Sequence, residues 1–508
     1  MSDFMLGVGL VAQFSTFLWC GFGAVLGIIL GALPGLSATM GIALVIPISY
    51  QLDTATGIGL LLAVYCGAVC GASIPAILLG IPGNPNAIAT TEDGQLMTKK
   101  GLAGQALGGA VIASVIGGIG SEIFLIFFSP MVADMTLAFG PAEKCTLSLV
   151  GIVIIAAVSG NDLLKGLLMG ALGFAFAFLG PDPMSGALRI PFPSLLGKTP
   201  FANGLDLTST LIGLYGVSQV FLELQNFRKP QNQEVCQDIG KIFPSFKKIA
   251  SMWKIILSSL GIGTLIGAIP GTGASIAVFM SRNTAVGICE RSNGKLEKPG
   301  TGCLEGIFAP EVANNAVTGG ALIPALSLGI PGDSATAVLI GALMINGITP
   351  GFTLFSQNMP LVYSIFMTLL ISNIFVAIFQ LAGVRIYPKI LLISPRVLMP
   401  VVLIMSFLGS YALAGSSVSK GVFFVGTALV MGLLGYFMRK NDYPVTPVVL
   451  GLILGGMFED QFRRGVKMGG GTLERFYTSP ICWFFVLLAL SIIVSVLLKN
   501  RKNKAIHA

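Results

Sequence analysis

The chain has 508 residues, of which 54% are hydrophobic and 10% are charged, and its formal net charge is +8. The mean hydropathy of +0.87 excludes a soluble globular domain of this length and predicts an all-α polytopic membrane protein. The one histidine, His507, lies in the basic C-terminal tail, which excludes histidine catalysis and a histidine-based metal site.

Two apolar runs in the first half end in Pro-Gly sequences. One covers about residues 15–31 and ends at residues 31–39, and the other covers about residues 57–79 and ends at residues 80–86. Proline removes a helix hydrogen bond and glycine adopts dihedral angles that other residues avoid, so each sequence predicts a broken helix. At membrane depth a broken helix is tolerated only where protein buries it or it lines a wet cavity, so the breaks predict a binding site.

The segments after these breaks are less regular. Residues 84–100 are too polar and too short to span, and they predict a re-entrant hairpin or a half-helix capped at residues 90–93. Apolar segments at about residues 103–130, 143–158, 163–180 and 205–224 predict further spans, and the proline-rich stretch 181–200 predicts a loop or an interfacial segment.

The second half repeats the first. Residues 267–275 match residues 31–39 at five of nine positions, and residues 323–332 match residues 74–83 at eight of ten positions. The two alignments have offsets of 236 and 249 residues, and the difference fits an insertion in the charged loop at residues 290–301. Two motifs in the same order predict an internal duplication.

Charge predicts the orientation of the two repeats. Lys99 is the first lysine or arginine of the chain, whereas six precede the second repeat in the hydrophilic stretch 228–254. Positively charged short loops stay cytoplasmic, so the repeats are predicted to be inverted. The basic residues at 459–478 and the basic tail flank the last apolar run at both ends, and the topology of residues 459–478 stays open.

These observations predict a fold class and a division of the chain. The fold class is an all-α polytopic membrane protein with an inverted-topology internal repeat, paired discontinuous or re-entrant helix hairpins, and about 10–12 transmembrane segments. We expect a first membrane repeat at residues 1–225, a basic cytoplasmic connector at 226–254, a second membrane repeat at 255–478, and a C-terminal transmembrane helix with a basic tail at 479–508.

The chemistry of the breaks predicts two kinds of ligand. Half-helix N-termini present free N–H groups, which suit carboxylates, and half-helix C-termini present carbonyl oxygens, which suit Na⁺. The substrate-binding candidates are Ser37, Thr39, Asn84, Asn86, Thr90, Asn314 and Asn315. The Na⁺-binding candidates are Pro34, Gly80, Thr272, Ser275, Asp333, Ser334 and Thr336.

Two qualifications apply to these candidates. The alternative for any one of them is a packing kink whose serine or threonine satisfies local backbone groups. Acids in or beside apolar runs are further candidates, namely Glu122, Glu143, Asp162 and Glu311. For Glu143 and Asp162, solvation at the end of a span is the simpler explanation.

The two breaks that follow the longer apolar runs differ in charge. Asn84 and Asn86 are uncharged amides, which donate to a carboxylate without repelling it, whereas Asp333 would repel a polycarboxylate unless a cation lies between them. We therefore assign the break of the first repeat mainly to substrate and that of the second mainly to Na⁺.

The motifs at residues 31–38, 80–83 and 329–333, with Thr91-Glu92-Asp93-Gly94 between them, resemble the large membrane subunit of the bacterial tripartite tricarboxylate transporters. The resemblance covers nearly the whole chain. It implies Na⁺-coupled import of a citrate-like di- or tricarboxylate across the bacterial inner membrane, with elevator-type alternating access. It also implies two partners, a periplasmic solute-binding protein and a small membrane subunit.

Other functions stay open at this point. A tripartite dicarboxylate transporter and a single-component carboxylate or cation transporter, either of them H⁺-coupled, fit the same breaks. The absence of a membrane-embedded histidine favours Na⁺, but the embedded acids keep H⁺ possible. The paired breaks argue against a channel, and no nucleophile elbow or phosphate-binding loop supports an enzyme.

Overall fold

A computed structural model describes residues 3–135, 139–158, 163–182, 185, 187, 189, 204–226, 239–270, 272–393 and 395–506. Within these ranges the chain is helical and contains no β-strand. The candidate Asp162, the motif residue 271 and most of the stretch 181–200 lie outside the described residues.

The helices of the first half are α1 Asp3–Val11, α2 Phe14–Ala32, α3 Ala38–Ser49, α4 Thr54–Gly71, α5 Ser73–Leu78, α6 Ile88–Lys99, α7 Ala103–Met135, α8 Pro141–Val158, α9 Leu163–Ala177, α10 Leu207–Leu211 and α11 Ser218–Asn226. A 3₁₀ turn, Pro85–Ala87, precedes α6, and a π-helical segment, Ile212–Val217, joins α10 to α11.

The helices of the second half are α12 Phe246–Ser251, α13 Trp253–Ala268, α14 Gly273–Glu290, α15 Leu304–Leu328, α16 Ser334–Ile345, α17 Phe352–Gln357, α18 Met359–Gly383, α19 Tyr387–Ile390, α20 Pro395–Ala412, α21 Val418–Lys440, α22 Thr446–Met468, α23 Glu474–Thr478 and α24 Pro480–Ile506.

Many of these helices are apolar enough to cross a membrane. Among the described residues, six segments have the length and composition of a span: Phe14–Ala32, Thr54–Leu78, Ala103–Met135, Leu207–Gln225, Met359–Gly383 and Val418–Lys440. Six shorter apolar helices accompany them, including α3, α13 and α16. The protein is therefore a multi-pass helical membrane protein, which confirms that part of the predicted fold class, while the count of 10–12 segments stays a prediction.

The contacts divide the chain into two compact units. The larger consists of Met1–Ala133, Glu223–Ile269 and Gly273–Val402, and the smaller consists of Asp134–Leu222, Pro270–Thr272 and Leu403–Ala508. Within the smaller unit, Arg189 forms an ion pair with Glu459 at 2.6 Å, and Arg463 pairs with Asp182 at 2.5 Å. Apart from Pro270–Thr272, the predicted break motifs belong to the larger unit.

Close glycine contacts pack the helices of the larger unit. Residues that align between the halves, at offsets of 236 up to α14 and 249 from α15 to α16, are called equivalent below. Three pairs of equivalent glycines pack closely against the backbone of equivalent residues. Gly27 lies against Val64 as Gly263 lies against Ala313, Gly31 against Ala68 as Gly267 against Val317, and Gly83 against Ala72 as Gly332 against Ala321. Small residues let membrane helices approach closely, so the same packing is built twice.

One local prediction is wrong. Residues 90–93 do not cap the half-helix after the break at residue 80, because they lie inside α6. The cap is Asn84, whose side chain accepts hydrogen bonds from the backbone N–H groups of Asn86 and Ala87. Pro85 follows the cap, and proline is favoured at the first position of a helix because its missing N–H would have no intrahelical partner.

Candidate binding site at the helix breaks

Four breaks interrupt the helices of the repeated segments. The first break, residues 33–37, separates α2 from α3, and the second break, residues 79–84, separates α5 from the 3₁₀ turn. The third break, residues 269–272, separates α13 from α14, and the fourth break, residues 329–333, separates α15 from α16. Gly80 and Gly329 have φ angles of 70° and 71°, which explains why both helices end on glycine.

Hydrogen bonds join the breaks of one half to those of the other. Thr39, in the first turn after the first break, lies 3.1 Å from Ser334 just after the fourth break, Oγ1 to Oγ. Ser275, after the third break, donates to Asn86 Oδ1 after the second break at 2.8 Å. Thr39 and Ser275 are equivalent residues, so each half contributes the same position to a contact with the other half.

Asp333 caps the helix that follows the fourth break. Its Oδ1 accepts from the Thr336 backbone N–H at 2.7 Å, and its own N–H donates to Thr336 Oγ1 at 2.9 Å, which completes a capping box. Its Oδ2 accepts from the buried Tyr65 hydroxyl at 2.9 Å. Asp333 forms no ion pair with the lysines and arginines of the described chain, so its charge is balanced only by these donors.

Asn84, the residue equivalent to Asp333, also caps the N-terminus of a helical segment. Its Oδ1 accepts from Asn86 N–H at 3.0 Å and from Ala87 N–H at 3.2 Å. Ser37 likewise caps α3 by accepting from Met40 N–H at 3.2 Å. Three of the candidate side chains therefore satisfy helix N-termini, which is the local alternative that the sequence left open.

Asn314 differs from every other candidate. It is 1% exposed, and neither its Nδ2 nor its Oδ1 has a hydrogen-bond partner in the described part of the chain. Asn314 is equivalent to Tyr65, and Asn84 is equivalent to Asp333. The pair Asn314 and Asn84 is therefore the counterpart, in the repeat alignment, of the hydrogen-bonded pair Tyr65 and Asp333. A buried amide without partners costs about 1–3 kcal/mol, so this position suits a ligand that both donates and accepts.

A second polar cluster surrounds Glu311. Thr90 Oγ1 donates to Glu311 Oε1 at 2.5 Å, and Ser114 Oγ donates to Oε2 at 3.4 Å. Asn315 Nδ2 donates to Ser114 Oγ at 2.8 Å and to the Glu311 backbone oxygen at 3.0 Å. The substrate candidates Thr90 and Asn315 thus meet at Glu311, whereas Thr39 and Asn86 are held by Ser334 and Ser275.

The remaining candidates take simpler positions. Pro34 and Gly80 lie within the first and second breaks, and Thr272 lies within the third. Glu143 is in the first turn of α8, and Glu122 is buried in α7 with Oε2 unpartnered. The described residues contain no group of three or more His, Cys, Asp or Glu side chains that could hold a metal ion, so a cation at the fourth break would be bound by the single carboxylate of Asp333 together with hydroxyl and carbonyl oxygens.

Sequence reasoning missed two residues. Tyr65 donates to Asp333, and Ser114 donates to Glu311, although neither stands near a break in the sequence. The available signal was that each is a hydroxyl within a long and largely apolar helix segment. Their partners lie 268 and 197 residues away, so the sequence could not supply them.

Paired broken helices that gather polar side chains inside a multi-pass helical protein define the construction of a secondary transporter. The comparison with known families agrees: the model of the tripartite tricarboxylate transporter TctA family matches residues 17–450. The chain belongs to this family and is a large membrane subunit of that kind. Tripartite transporters of this kind also comprise a small membrane subunit and a periplasmic binding protein.

Two relatives come from Agrobacterium vitis. One, described as an uncharacterized 52.8 kDa protein in the TAR-I ttuC' 3' region, is 29% identical over 99% of this chain and 97% of its own length. The other, described as an uncharacterized protein in the TAR-II ttuC' 3' region, is 31% identical over 48% of this chain and 96% of its own length. No solved structure matches the chain.

Proposed function

We propose that this protein imports a small di- or tricarboxylate of the citrate type across the bacterial inner membrane by secondary active, Na⁺-coupled transport. A periplasmic solute-binding protein delivers the substrate, and a small membrane subunit completes the transporter. Family membership supports the class of substrate and the partners. The observation that carries the site is the buried, unpartnered amide of Asn314, the residue of the second half that is equivalent to Tyr65.

The second break and Asn314 form the substrate side of the proposed site. No lysine or arginine side chain lies in the four breaks, so a carboxylate there would be bound by amide donors and helix N-termini. Asn86 contributes an amide whose oxygen already accepts from Ser275, which leaves its Nδ2 to donate. Amides donate to a polycarboxylate without adding charge, so substrate release need not break an ion pair.

The fourth break forms the cation side. Asp333 supplies a negative charge, and the hydroxyls of Thr336 and Tyr65 contact its carboxylate. The next residue, Ser334, adds a hydroxyl that lies 3.1 Å from that of Thr39. Na⁺ prefers hard oxygen ligands of these kinds. A trianion moving inward against a potential of about 100 mV costs roughly 2.3 kcal/mol per charge, so more than three Na⁺ ions must accompany it for the potential to help.

The repeat supports an inverted pair of hairpins that moves as one body. The glycine contacts of α2 with α4 recur as those of α13 with α15, and the equivalent residues Thr39 and Ser275 each form a hydrogen bond to the other half. The helices that flank the breaks belong to the larger compact unit, whereas residues Pro270–Thr272 of the third break are grouped with the smaller one. We infer that the larger unit carries the substrate in an elevator-type motion.

Uptake into proteoliposomes with both partners present tests the function. We expect an inward Na⁺ gradient to drive accumulation of a labelled tricarboxylate and omission of the binding protein to abolish it. A proton gradient imposed without Na⁺ is the control. Uptake that is indifferent to Na⁺ contradicts the coupling, and uptake that survives without the binding protein contradicts the tripartite assembly.

Variants at the two breaks test the division of labour. Asp333→Asn keeps a good helix cap but removes the charge, so it should raise the Na⁺ concentration needed for half-maximal uptake more than it weakens substrate recognition at saturating Na⁺. Asn84→Ala should do the reverse. An unchanged Na⁺ dependence in Asp333→Asn means that Asp333 is only a helix cap.

A further inference from the structure

Glu311 is a buried acid without a counter-charge. Its side chain is 0% exposed, and no lysine, arginine or histidine of the described ranges forms an ion pair with it. Its neighbours are hydroxyls, Thr90 from α6 at 2.5 Å and Ser114 from α7 at 3.4 Å. Burying an isolated carboxylate costs several kcal/mol, so a group in this position holds a cation or a proton.

Glu305, on the first turn of the same helix, is a buried acid that does have a counter-charge. It is also 0% exposed, but Lys248 lies 2.7 Å from its Oε1. Burial lowers the pKa of Lys248, yet its hydrogen bonds to Glu305 and Glu297 outweigh burial and raise the pKa above its ordinary value. A lysine stays charged beside Glu305, and the corresponding partner is missing at Glu311.

We propose that Glu311, Thr90 and Ser114 form a binding site for one monovalent cation, Na⁺ or a proton, that shares no residue with the fourth break. The carboxylate and the two hydroxyls supply oxygen ligands from three helices, and Asn315 holds the Ser114 hydroxyl in place at 2.8 Å. The residue equivalent to Glu311 in the first half is the buried Leu62, so the site occurs once.

The position of Thr90 gives the site a role in coupling. Thr90 lies four residues after Asn86, in the first turn of α6, and α6 directly follows the 3₁₀ turn that contains Asn86. A cation bound by Glu311 and Thr90 would fix this helix, and with it the 3₁₀ turn that carries Asn86. This inference rests on the proposed function, because it adds a coupling site beside the substrate side.

The surrounding helices provide few competing charges. Arg282 on α14 forms ion pairs with Glu92 and Asp93 on α6. On α4, the titratable group near Glu311 is the buried thiol of Cys70. On the fourth break, Asp333 is held by Tyr65 and Thr336. Glu122 on α7 is the rival buried acid, since its Oε2 is unpartnered.

A binding measurement on the purified protein tests the site without transport. The thermal midpoint is followed against Na⁺, with choline as the replacement cation, in the wild type and in Asp333→Asn, which removes the charge of the proposed fourth-break site. In the Asp333→Asn background we expect a remaining rise of the midpoint with Na⁺. Adding Glu311→Gln should weaken that response at least tenfold in half-saturating Na⁺, whereas adding Glu122→Gln should not.

A second arm varies pH without Na⁺. If the remaining response in the Asp333→Asn background is to protons alone and disappears with Glu311→Gln, the occupant is a proton. Thr90→Val, which removes one hydroxyl ligand, should weaken either response and serves if Glu311→Gln does not fold. A response to Na⁺ and to pH that is unchanged by Glu311→Gln, or one lost only with Glu122→Gln, overturns the proposal. Because uptake is not measured, these outcomes are distinct from a failure of the proposed transport function.

Discussion

The second and fourth breaks are equivalent in sequence position but not in how the protein completes them. At the fourth break the Tyr65 hydroxyl reaches Asp333, and the capping box of α16 satisfies the rest of the carboxylate. The residue equivalent to Tyr65 in the second half is the shorter Asn314, whose amide is buried without a partner in the described part of the chain. The carboxamide of Asn314 therefore stays unpaired where the equivalent hydroxyl of Tyr65 is satisfied by protein, and this is the difference on which the proposed substrate and cation sides rest.

The two halves also differ in the connection between the helix after the first or third break and the helix that follows it. The first half joins α3 to α4 through residues 50–53, whereas the second joins α14 to α15 through residues 291–303. Asp93 on α6 holds this longer loop. Its carboxylate accepts from the backbone N–H groups of Gly300 and Gly302 at 2.9 Å and pairs with Arg282 at 3.4 Å.

Replacing Asp93 should therefore have the largest effect on stability. Asp93→Ala leaves buried N–H groups unsatisfied and removes a 0% exposed charge from Arg282, so we expect a loss of roughly 3–5 kcal/mol in the free energy of unfolding. Denaturant unfolding of the purified protein measures it. The matched control is Glu92→Ala, which removes the exposed partner of the same arginine and should cost about 1 kcal/mol or less. Equal losses in the two variants would show that the loop is not held by Asp93.

The close glycine contacts also differ between the two halves. A Cβ at Gly31 would run into the backbone of Ala68, whereas at the equivalent Gly267 the nearest atom, Val317 O, would be 2.9 Å away. We expect Gly31→Ala to cost about 1–3 kcal/mol of stability and Gly267→Ala to cost less. Gly261→Ala is the control, because a Cβ there meets nothing within 4 Å. If all three variants unfold alike, the close packing of α2 on α4 does not limit stability.

Asn314 and Asn315 are adjacent on α15, and we expect one to affect substrate affinity and the other to affect the stability of the fold. Asn315→Ala loses hydrogen bonds to Ser114 and to the Glu311 backbone, so it should lower the free energy of unfolding by about 1 kcal/mol. Asn314→Ala loses no hydrogen bond within the described protein and removes a buried amide without partners, so the free energy of unfolding should not fall. Substrate affinity should fall by about 1–3 kcal/mol. Calorimetric substrate binding and unfolding are measured on both variants. Normal affinity in Asn314→Ala would remove it from the substrate side.

The smallest expected effect concerns the hydrogen bonds between the halves. Thr39→Val removes the contact with Ser334, and Ser275→Ala removes the contact with Asn86. Each should cost about 0.5–1.5 kcal/mol of stability, as is typical of one hydrogen bond. A double-mutant cycle of Thr39→Val with Ser334→Ala isolates the pair. A coupling energy of zero would mean that the hydrogen bond between Thr39 and Ser334 does not help to hold the two halves together.

The class of protein and the positions of the breaks could be predicted from the residues alone. Apolar runs of membrane length, interrupted by Pro-Gly, specify helices and their ends because proline and glycine act on their immediate neighbours. The duplication was also readable, since matching motifs recur in order. Local rules failed once, at residues 90–93, where the Asn84-Pro85 pair is the stronger start signal.

Only the tertiary structure decided what the breaks contain. Tyr65 meets Asp333 across 268 residues and Thr90 meets Glu311 across 221, because the register of packed helices, and not any local pattern, brings them within hydrogen-bond distance. The same register leaves Asn314 without a partner, although Asn315 beside it has two. Residues that the sequence grouped by their distance from a proline are thus divided among separate clusters, since hydrogen bonds depend on ångström-scale geometry between distant segments.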